Sequence, residues 1–236
     1  MKENKLGIGI LLLVLALFVS SAFWIDHATS VVAYQSPKQQ HCFIIDPGHG
    51  GVDGGATSCT GVLESAINLQ IALRLNDLLN FMGYRTIMIR TKDISVYTEG
   101  ETIAQKKISD LKERVRICNA TEGSVLISIH QNNFNDSKYS GAQVFFSDTK
   151  GSKEFAGHLQ ADFVHILNPG SRRAAKEAAG IYLLEHAQCP AVLVECGFLS
   201  NPVEEALLRT SEYQKKLCCV IAVNAASFLL DAQTND

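Results

Sequence analysis

The sequence predicts a single α/β domain, built as a mostly parallel mixed sheet with helices on both faces, behind an N-terminal membrane anchor or signal segment. Strand-like apolar runs alternate with amphipathic helical stretches, which is typical of parallel sheets. The 236 residues are 47% hydrophobic and 19% charged, enough for one substantial core. The net charge of -3 gives no basic field, which argues against a nucleic-acid binder.

The N-terminus predicts export. Lys2 and Lys5 precede an apolar run over residues 6–24 that is long enough to span a bilayer and also compatible with a signal peptide. Small residues would permit cleavage after Ala22, whereas the length of the run and Trp24 at its end favour a retained anchor. We expect the positive end inside and everything after residue 25 outside.

Three parts of the chain follow from this pattern. Residues 1–25 form the signal peptide or membrane anchor, 26–40 read as a polar tether, and 41–232 form the folded domain. No internal repeat or low-complexity tract divides the folded part.

The first predicted strand, 42–45, leads into a glycine-rich loop. It stops at Asp46-Pro47-Gly48, and His49 follows among five nearby glycines. Glycines let the backbone turn tightly and leave room beside the imidazole. A phosphate-binding loop is less consistent, because the third glycine of G-x-G-x-x-G is replaced by Asp53.

The next elements are a helix, a strand and a long loop. The helix begins at Glu64 and ends before Gly83. Its predicted inner face comprises Ile67, Ile71, Leu75 and Leu78, and its predicted outer face Asn68, Arg74 and Asp77. A strand over 84–90 follows, and then the polar segment 91–105, which we interpret as a surface loop.

The middle of the chain continues the alternation. A second amphipathic helix is predicted with Ile108, Leu111, Val115 and Cys118 on one face. A buried strand over 124–130 then ends in His130, the second histidine at a strand end. Further on we predict a strand over 142–147, a helix around 155–167 and a basic patch of Arg172, Arg173 and Lys176.

The last third completes the sheet. Two strands are predicted, at 181–185 and at 191–195, and the second ends in the carboxylate of Glu195. Helices over about 202–208 and 211–230 close the chain.

Four side chains form the candidate site. His49, His130 and Glu195 stand at strand ends and Glu64 at a helix start, and the carboxyl ends of parallel strands lie at one edge of a sheet. Two histidines and one carboxylate with an open fourth position make a catalytic zinc set, and a remaining carboxylate can move the protons of a hydrolysis. Asp53 competes with Glu64 as the carboxylate ligand, and spacing does not exclude it.

Each member also has a structural interpretation. A buried strand-end histidine is usually a hydrogen-bonded core residue, and Glu64 could simply interact with the helix dipole. Glu195 is harder to explain this way, because a carboxylate ending an apolar run is rarely buried unless it is paired or functional. The remaining histidines are interpreted as structural, namely His41, His158, His165 and His186.

The seven cysteines are an odd number and include no C-x-x-C pair. Most lie in apolar runs, so buried free thiols are favoured over a disulfide framework.

Five motifs follow one another along the chain: D-P-G-H-G-G at 46–51, L-E-S-A-I-N-L at 63–69, L-K-E-R-V at 111–115, S-I-H-Q-N at 128–132 and V-E-C-G-F-L-S-N-P at 194–202. Together they resemble the zinc-dependent N-acetylmuramoyl-L-alanine amidases of the type 3 class. The resemblance implies one Zn²⁺ per chain, hydrolysis of the amide between N-acetylmuramic acid and the L-alanine of the stem peptide, and peptidoglycan as substrate.

The same resemblance assigns site residues. It implies His49, Glu64 and His130 as zinc ligands and Glu195 as the catalytic glutamate, with Asn132 either supporting a zinc ligand or contacting the substrate. Arg172 and Arg173 of the basic patch are candidate contacts for stem-peptide carboxylates, although a solvated surface explains them equally well.

Loops at 97–100 and 140–143 are most similar to the spore-cortex, germination-specific subgroup of this family. This similarity implies a role in cortex maturation, through muramic δ-lactam formation, outside the cytoplasmic membrane in the forespore intermembrane space. An exported activating or scaffolding protein is a further candidate partner, besides the membrane contacted by the N-terminal segment. The alternatives are a catalytically weak glycan-binding or assembly protein on the same scaffold and a zinc carboxypeptidase.

Overall fold

Six strands form the centre of the computed structural model, which describes residues 41–234. They are β1 (Cys42–Pro47), β2 (Arg85–Met88), β3 (Ser124–Asn132), β4 (Gln143–Phe146), β5 (Lys176–Glu177) and β6 (Ala191–Phe198). The predicted leader, 1–25, and tether, 26–40, lie outside the described residues. Within the described part, no helix has the length and apolar character needed to cross a membrane.

The strands form one sheet in the order β2-β1-β3-β6-β4-β5. β1, β2, β3 and β6 run parallel to one another, while β4 is antiparallel to β6. The predicted mostly parallel mixed sheet is therefore confirmed. Its parallel centre places the carboxyl ends of β1, β3 and β6 side by side.

Helices cover both faces of the sheet, as predicted. They are α1 (Glu64–Phe81), α2 (Ile103–Asn119), α3 (Ser152–Asp162), α4 (Tyr182–His186), α5 (Pro202–Leu208) and α6 (Ser211–Thr234), and α3 continues into a π-helical turn at Phe163–Leu167. One face of the sheet, with Ile45 and Ile127, packs against α1, α3 and α6. The opposite face, with Ile44 and Leu126, packs against α2 and α4. Adjacent strand residues point to opposite faces, so each central strand contributes to two cores.

The predicted strand over 181–185 is wrong, because this segment is the short helix α4. Leu183 and Leu184 are both buried in the same core, which consecutive residues of a strand cannot achieve because they point to opposite faces. The edge of the sheet is formed instead by the two-residue strand Lys176–Glu177, which includes one member of the basic patch.

The predicted inner face of α2 is also partly wrong. Ile108 is 56% exposed. The side chains that α2 buries are Ser109, Asp110, Arg114 and Cys118. Likewise, Asn68 of α1 was predicted to face outward and is fully buried. Asn68 and Arg114 turn inward because they bind the loop that carries His49. Ser109 and Asp110 turn inward because they accept hydrogen bonds from backbone N–H groups of residues 96–99.

The polar segment before α2 is a surface loop, as predicted, and it ends at a capping box. The Thr102 side chain accepts a hydrogen bond from the backbone N–H of Gln105, whose side chain accepts from the Thr102 N–H. The loop also contacts the glycine-rich loop, since the Ser95 hydroxyl donates to the carbonyl of Gly50 over 2.5 Å.

Candidate active site

The four predicted side chains converge at the carboxyl edge of the sheet. His49 follows β1, His130 lies near the end of β3, and Glu195 lies in β6, where it is paired in register with His130. Glu64 is the first residue of α1, which begins beside the same edge. Residues up to 146 positions apart in the sequence thus meet because three parallel strands end together.

Glu64 lies between the two histidines. Its Oε2 is 3.3 Å from Nε2 of His49, and its Oε1 is 3.0 Å from Nδ1 of His130. One ligand atom from each residue lies within 4.8 Å of the other two, so the three groups could hold a metal ion. Two imidazole nitrogens and a carboxylate oxygen are a donor set that suits zinc. The geometry therefore fits such a cation.

Backbone and side-chain donors fix the orientation of the Glu64 carboxylate. Oε1 accepts hydrogen bonds from the N–H of Gln131 over 3.1 Å and from Nδ2 of Asn68 over 3.1 Å. Oε2 accepts from the N–H of Ala56 over 3.0 Å. Burial by itself would raise the pKa of Glu64. Hydrogen bonds and charge interactions with His130 and His49 outweigh this effect and hold the pKa well below its usual range. Glu64 is therefore a carboxylate at any pH near neutrality.

Asp53, the competing carboxylate, contacts the other side of the His49 ring. Its Oδ2 is 2.9 Å from Nδ1 of His49 and 3.2 Å from Nζ of Lys107. Burial opposes protonation of His49, yet Glu64 and Asp53 together raise its pKa. A proton held on Nδ1 by Asp53 leaves Nε2 directed at Glu64, which is how an outer carboxylate orients a ligating histidine.

Gly48 permits the close approach of the loop to His130. A Cβ added at Gly48 would lie 2.2 Å from Cε1 and Nε2 of the His130 ring, so a larger residue would displace the ring. The carbonyl of Gly48 accepts hydrogen bonds from Arg90 and from Asn68. His49 itself has φ 60°, an uncommon left-handed conformation for a residue with a side chain.

A buried ion pair contacts the backbone of the loop that carries His49. Arg114 of α2 pairs with Asp46 and, over 2.6 Å, with Asp110. It also donates to the carbonyls of Pro47 over 3.0 Å and His49 over 2.7 Å. The loop is therefore held through its backbone by a fully buried guanidinium. The sequence analysis did not predict the roles of Arg114 and Asn68. Their only sequence signal is that Arg114 lies in the L-K-E-R-V motif and Asn68 in the L-E-S-A-I-N-L motif.

Glu195 faces a cleft of about 300 Å³ that the histidines also line. Burial raises the pKa of Glu195 to about 7, and the negative charge of Glu64 adds to this effect while His130 and His49 oppose it. Among the described residues, no group donates a hydrogen bond to its buried Oε2. A carboxylate with a free oxygen and a pKa near neutrality is suited to accept and release a proton.

The remaining predicted site residues lie apart from this cluster. Asn132 ends β3, and its carbonyl accepts from the N–H of Leu199 over 2.8 Å. Arg173 lies over the Phe198 ring at 5.0 Å, and Arg172 is exposed. None of the three is among the residues lining the cleft that contains Glu195.

Comparison with known proteins gives a consistent result. Residues 43–224 match the Amidase_3 family, described as N-acetylmuramoyl-L-alanine amidase. The germination-specific N-acetylmuramoyl-L-alanine amidase of Bacillus subtilis (strain 168) is 37% identical over 186 residues, covering 78% of this chain and 78% of that protein.

Solved structures also resemble the chain. The CwlD amidase from Clostridioides difficile, solved in complex with the GerS lipoprotein, is 38% identical with a TM-score of 0.76, over 80% of this chain and 98% of that chain. An N-acetylmuramoyl-L-alanine amidase from Clostridium difficile 630 is 31% identical with a TM-score of 0.70, over 80% and 96%.

Proposed function

The chain belongs to the N-acetylmuramoyl-L-alanine amidase family, and from this premise we propose that it is a zinc-dependent amidase of the spore cortex. Family membership makes it an enzyme that cleaves the bond between N-acetylmuramic acid and L-alanine in peptidoglycan. The observation that supports the metal is the convergence of His49, Glu64 and His130, whose ligand atoms lie within 4.8 Å of one another.

A bound zinc ion supplies Lewis-acid chemistry, which polarises a carbonyl group and makes water a stronger nucleophile. Glu195 acts as general base: it takes a proton from the attacking water and delivers it to the departing L-alanine nitrogen. The products are the free lactyl carboxylic acid of muramic acid and a peptide with a free N-terminal amine. The pKa of Glu195, raised to about 7, suits both proton transfers.

The other residues of the site position these groups. Asp53 keeps the proton of His49 on Nδ1, and the backbone donors of Gln131 and Ala56 orient Glu64. Arg114 fixes the loop that carries His49 through two backbone carbonyls. Rigid support of this kind limits the reorganisation needed during the reaction.

The spore-specific role is supported by the 37% identity to the germination-specific amidase of Bacillus subtilis. Removing stem peptides from muramic acid prepares the sugar for δ-lactam formation. In this role the protein acts outside the cytoplasmic membrane, in the forespore intermembrane space. An exported protein partner is supported by the Clostridioides difficile relative, which was solved with a lipoprotein.

Mass spectrometry of muropeptides tests the reaction. The purified protein is incubated with cortex peptidoglycan, with zinc, with a chelator, and with a chelator followed by excess zinc. We expect peptides with a free N-terminal L-alanine, lost on chelation and restored by zinc. His49→Ala or His130→Ala abolishes both zinc binding and release, whereas His158→Ala, an exposed histidine on α3, changes neither. Release of C-terminal amino acids instead would identify a carboxypeptidase.

The spore role has its own test. Spores of a strain that lacks this gene are expected to contain cortex with intact stem peptides and without muramic δ-lactam, and the wild-type gene restores the lactam. Normal lactam content in the deletion strain would leave the amidase reaction intact but assign it to a different wall substrate.

A further inference from the structure

Two cysteines lie in contact outside the catalytic cleft. Sγ of Cys118, in the last turn of α2, is 3.3 Å from Sγ of Cys189, in the loop between α4 and β6. Cys118 is fully buried and Cys189 is partly exposed. Since a disulfide bond is about 2.05 Å long, the sulfurs need to approach by only about 1 Å. We propose that Cys118 and Cys189 are a modification site at which the exported protein acquires an intramolecular disulfide.

Contacts around the pair hold the two backbone segments together. Nδ2 of Asn119 donates to the carbonyl of His186 over 3.0 Å, and the N–H of Gln188 donates to Oδ1 of Asn119 over 2.9 Å. The Thr149 hydroxyl donates to the carbonyl of Cys189 over 2.9 Å. The thiols are thus kept adjacent by bonds that do not involve sulfur, so forming the disulfide requires little backbone movement.

The two thiols differ in a way that suits stepwise oxidation. The hydrogen bond from Cys118 lowers the pKa of Cys189 to about 7, against the opposing effect of burial, while the pKa of Cys118 is raised. A thiolate is the attacking species in thiol–disulfide exchange. Cys189 is therefore both the more accessible and the more reactive sulfur of the pair.

The oxidant belongs to a stated class, namely a disulfide such as oxidised glutathione or the oxidised form of an exported thiol–disulfide oxidoreductase. The Cys189 thiolate attacks one sulfur of that disulfide, forms a mixed disulfide and releases one thiol. Cys118 then loses its proton and attacks Sγ of Cys189, which releases the second thiol. The protein loses two hydrogen atoms, and the oxidant is reduced to two thiols.

The bond would link the end of α2, the helix whose Arg114 holds the loop of His49, to the loop before β6, the strand of Glu195. Cys118 lies four residues after Arg114 on α2, and Cys189 lies two residues before the start of β6, the strand of Glu195. The bridged cysteines are 71 positions apart, and the segment between them includes β3 with His130. Closing so long a loop restricts the unfolded chain and stabilises the fold. The inference does not depend on the amidase reaction, but it requires an oxidising compartment.

The other cysteines provide internal controls. Cys59 and Cys219 are exposed, whereas Cys42, Cys196 and Cys218 are buried. Cys59 and Cys219 therefore report how readily a single exposed thiol of the same molecule reacts.

The test uses the full-length protein equilibrated with reduced and oxidised glutathione, quenched with a thiol-alkylating reagent and mapped by mass spectrometry. We expect a cross-linked peptide pair containing Cys118 and Cys189, two hydrogen masses lighter than the separate peptides, at ratios where Cys59 is alkylated or carries glutathione. The proposal is overturned if Cys118 and Cys189 are both alkylated under oxidising conditions, or if Cys189 stops at the glutathione adduct.

Thermal unfolding gives an independent measurement on the same protein. The oxidised form is expected to melt about 5–10 °C above the reduced form, as for a disulfide closing a long loop. This difference disappears in Cys189→Ser and in Cys118→Ala but persists in Cys59→Ser. Equal melting temperatures of oxidised and reduced wild-type protein contradict the proposal, and this comparison does not rely on any variant folding.

Discussion

His130 and Glu195 are paired in register on the neighbouring parallel strands β3 and β6. This pairing places a candidate metal ligand beside the candidate general base, and both residues belong to strands and not to loops. Because both positions belong to the core of the sheet, the relative position of the two side chains is set by backbone hydrogen bonds. The reaction proposed for this enzyme therefore depends on strand register as much as on residue identity.

Glu195→Gln tests the general base. The substitution preserves the size of the side chain and removes its ability to take a proton, so turnover should fall about 100- to 10,000-fold. Zinc content, measured by elemental analysis of the purified protein, should stay at the wild-type value because the proposed ligands are untouched. Glu177→Gln, an exposed glutamate of β5, serves as the matched control and should be fully active. Wild-type turnover in the Glu195 variant would falsify the assigned mechanism.

Asp53→Asn tests the outer contact of His49. The amide cannot hold the Nδ1 proton of His49 as a carboxylate does, so zinc affinity should weaken about 10- to 100-fold. A competition titration with a chromophoric chelator measures the change. Lys107→Met removes the cation that contacts the same Oδ2 of Asp53 over 3.2 Å and should have the smaller effect. If both variants lose equal affinity, the ion pair rather than the histidine contact accounts for the role of Asp53.

Gly48→Ala tests the close approach of the loop to His130. The added Cβ would lie 2.2 Å from two atoms of the ring, so the imidazole must move. A shift of this size should reduce turnover about 100-fold. Gly157→Ala on α3, where no atom other than its chain neighbours and the backbone of its own helix lies within 4 Å of the added Cβ, should keep full activity. Equal activity of the two variants would show that the loop relaxes without consequence.

Arg114→Met tests the buried ion pair. The change leaves Asp46 buried without its main partner, so the free energy of unfolding should fall by about 3–5 kcal/mol. Urea denaturation measures it. Arg116→Met, on the same helix, removes an exposed pair with Glu113 at 2.7 Å and should change stability little. A comparable loss in both variants would indicate that helix propensity, not the buried charge, is responsible.

The same pair predicts a pH dependence of stability. Burial opposes ionisation of Asp46, but Arg114, with His130 and the Ser128 hydroxyl, lowers its pKa below the ordinary value. A lowered folded-state pKa stabilises the protein above the unfolded pKa of about 3.9, and this stabilisation is lost as the pH falls through the folded value.

The measurement compares wild type with Asp46→Asn at pH 6, 4 and 3. The difference in the free energy of unfolding between the two proteins should be largest at pH 6. It should become smaller below about pH 4, where Asp46 of the wild type takes up a proton on unfolding. A constant difference over this range would mean that Asp46 does not titrate between the two states.

The sequence by itself determined the fold class and grouped the four side chains of the candidate site. Short continuous apolar runs alternating with helical stretches predict a parallel sheet, and the polar residues that end its strands lie at one edge of that sheet. His49, His130 and Glu195 could therefore be grouped from sequence, although spacing alone left Asp53 and Glu64 as competing ligands. The apolar run around Leu183 contained no alternation that separates helix from strand, which is why the prediction there was wrong.

Only the tertiary structure decided how those residues are oriented. It placed Glu64 between the imidazoles of His49 and His130, and Asp53 at Nδ1 of His49. It also buried Arg114 against the loop that carries His49. It also brought Cys118 next to Cys189, 71 positions away. Such contacts depend on strand order and helix packing, which join residues distant along the chain, whereas sequence periodicity reports only which face of its own element a side chain occupies.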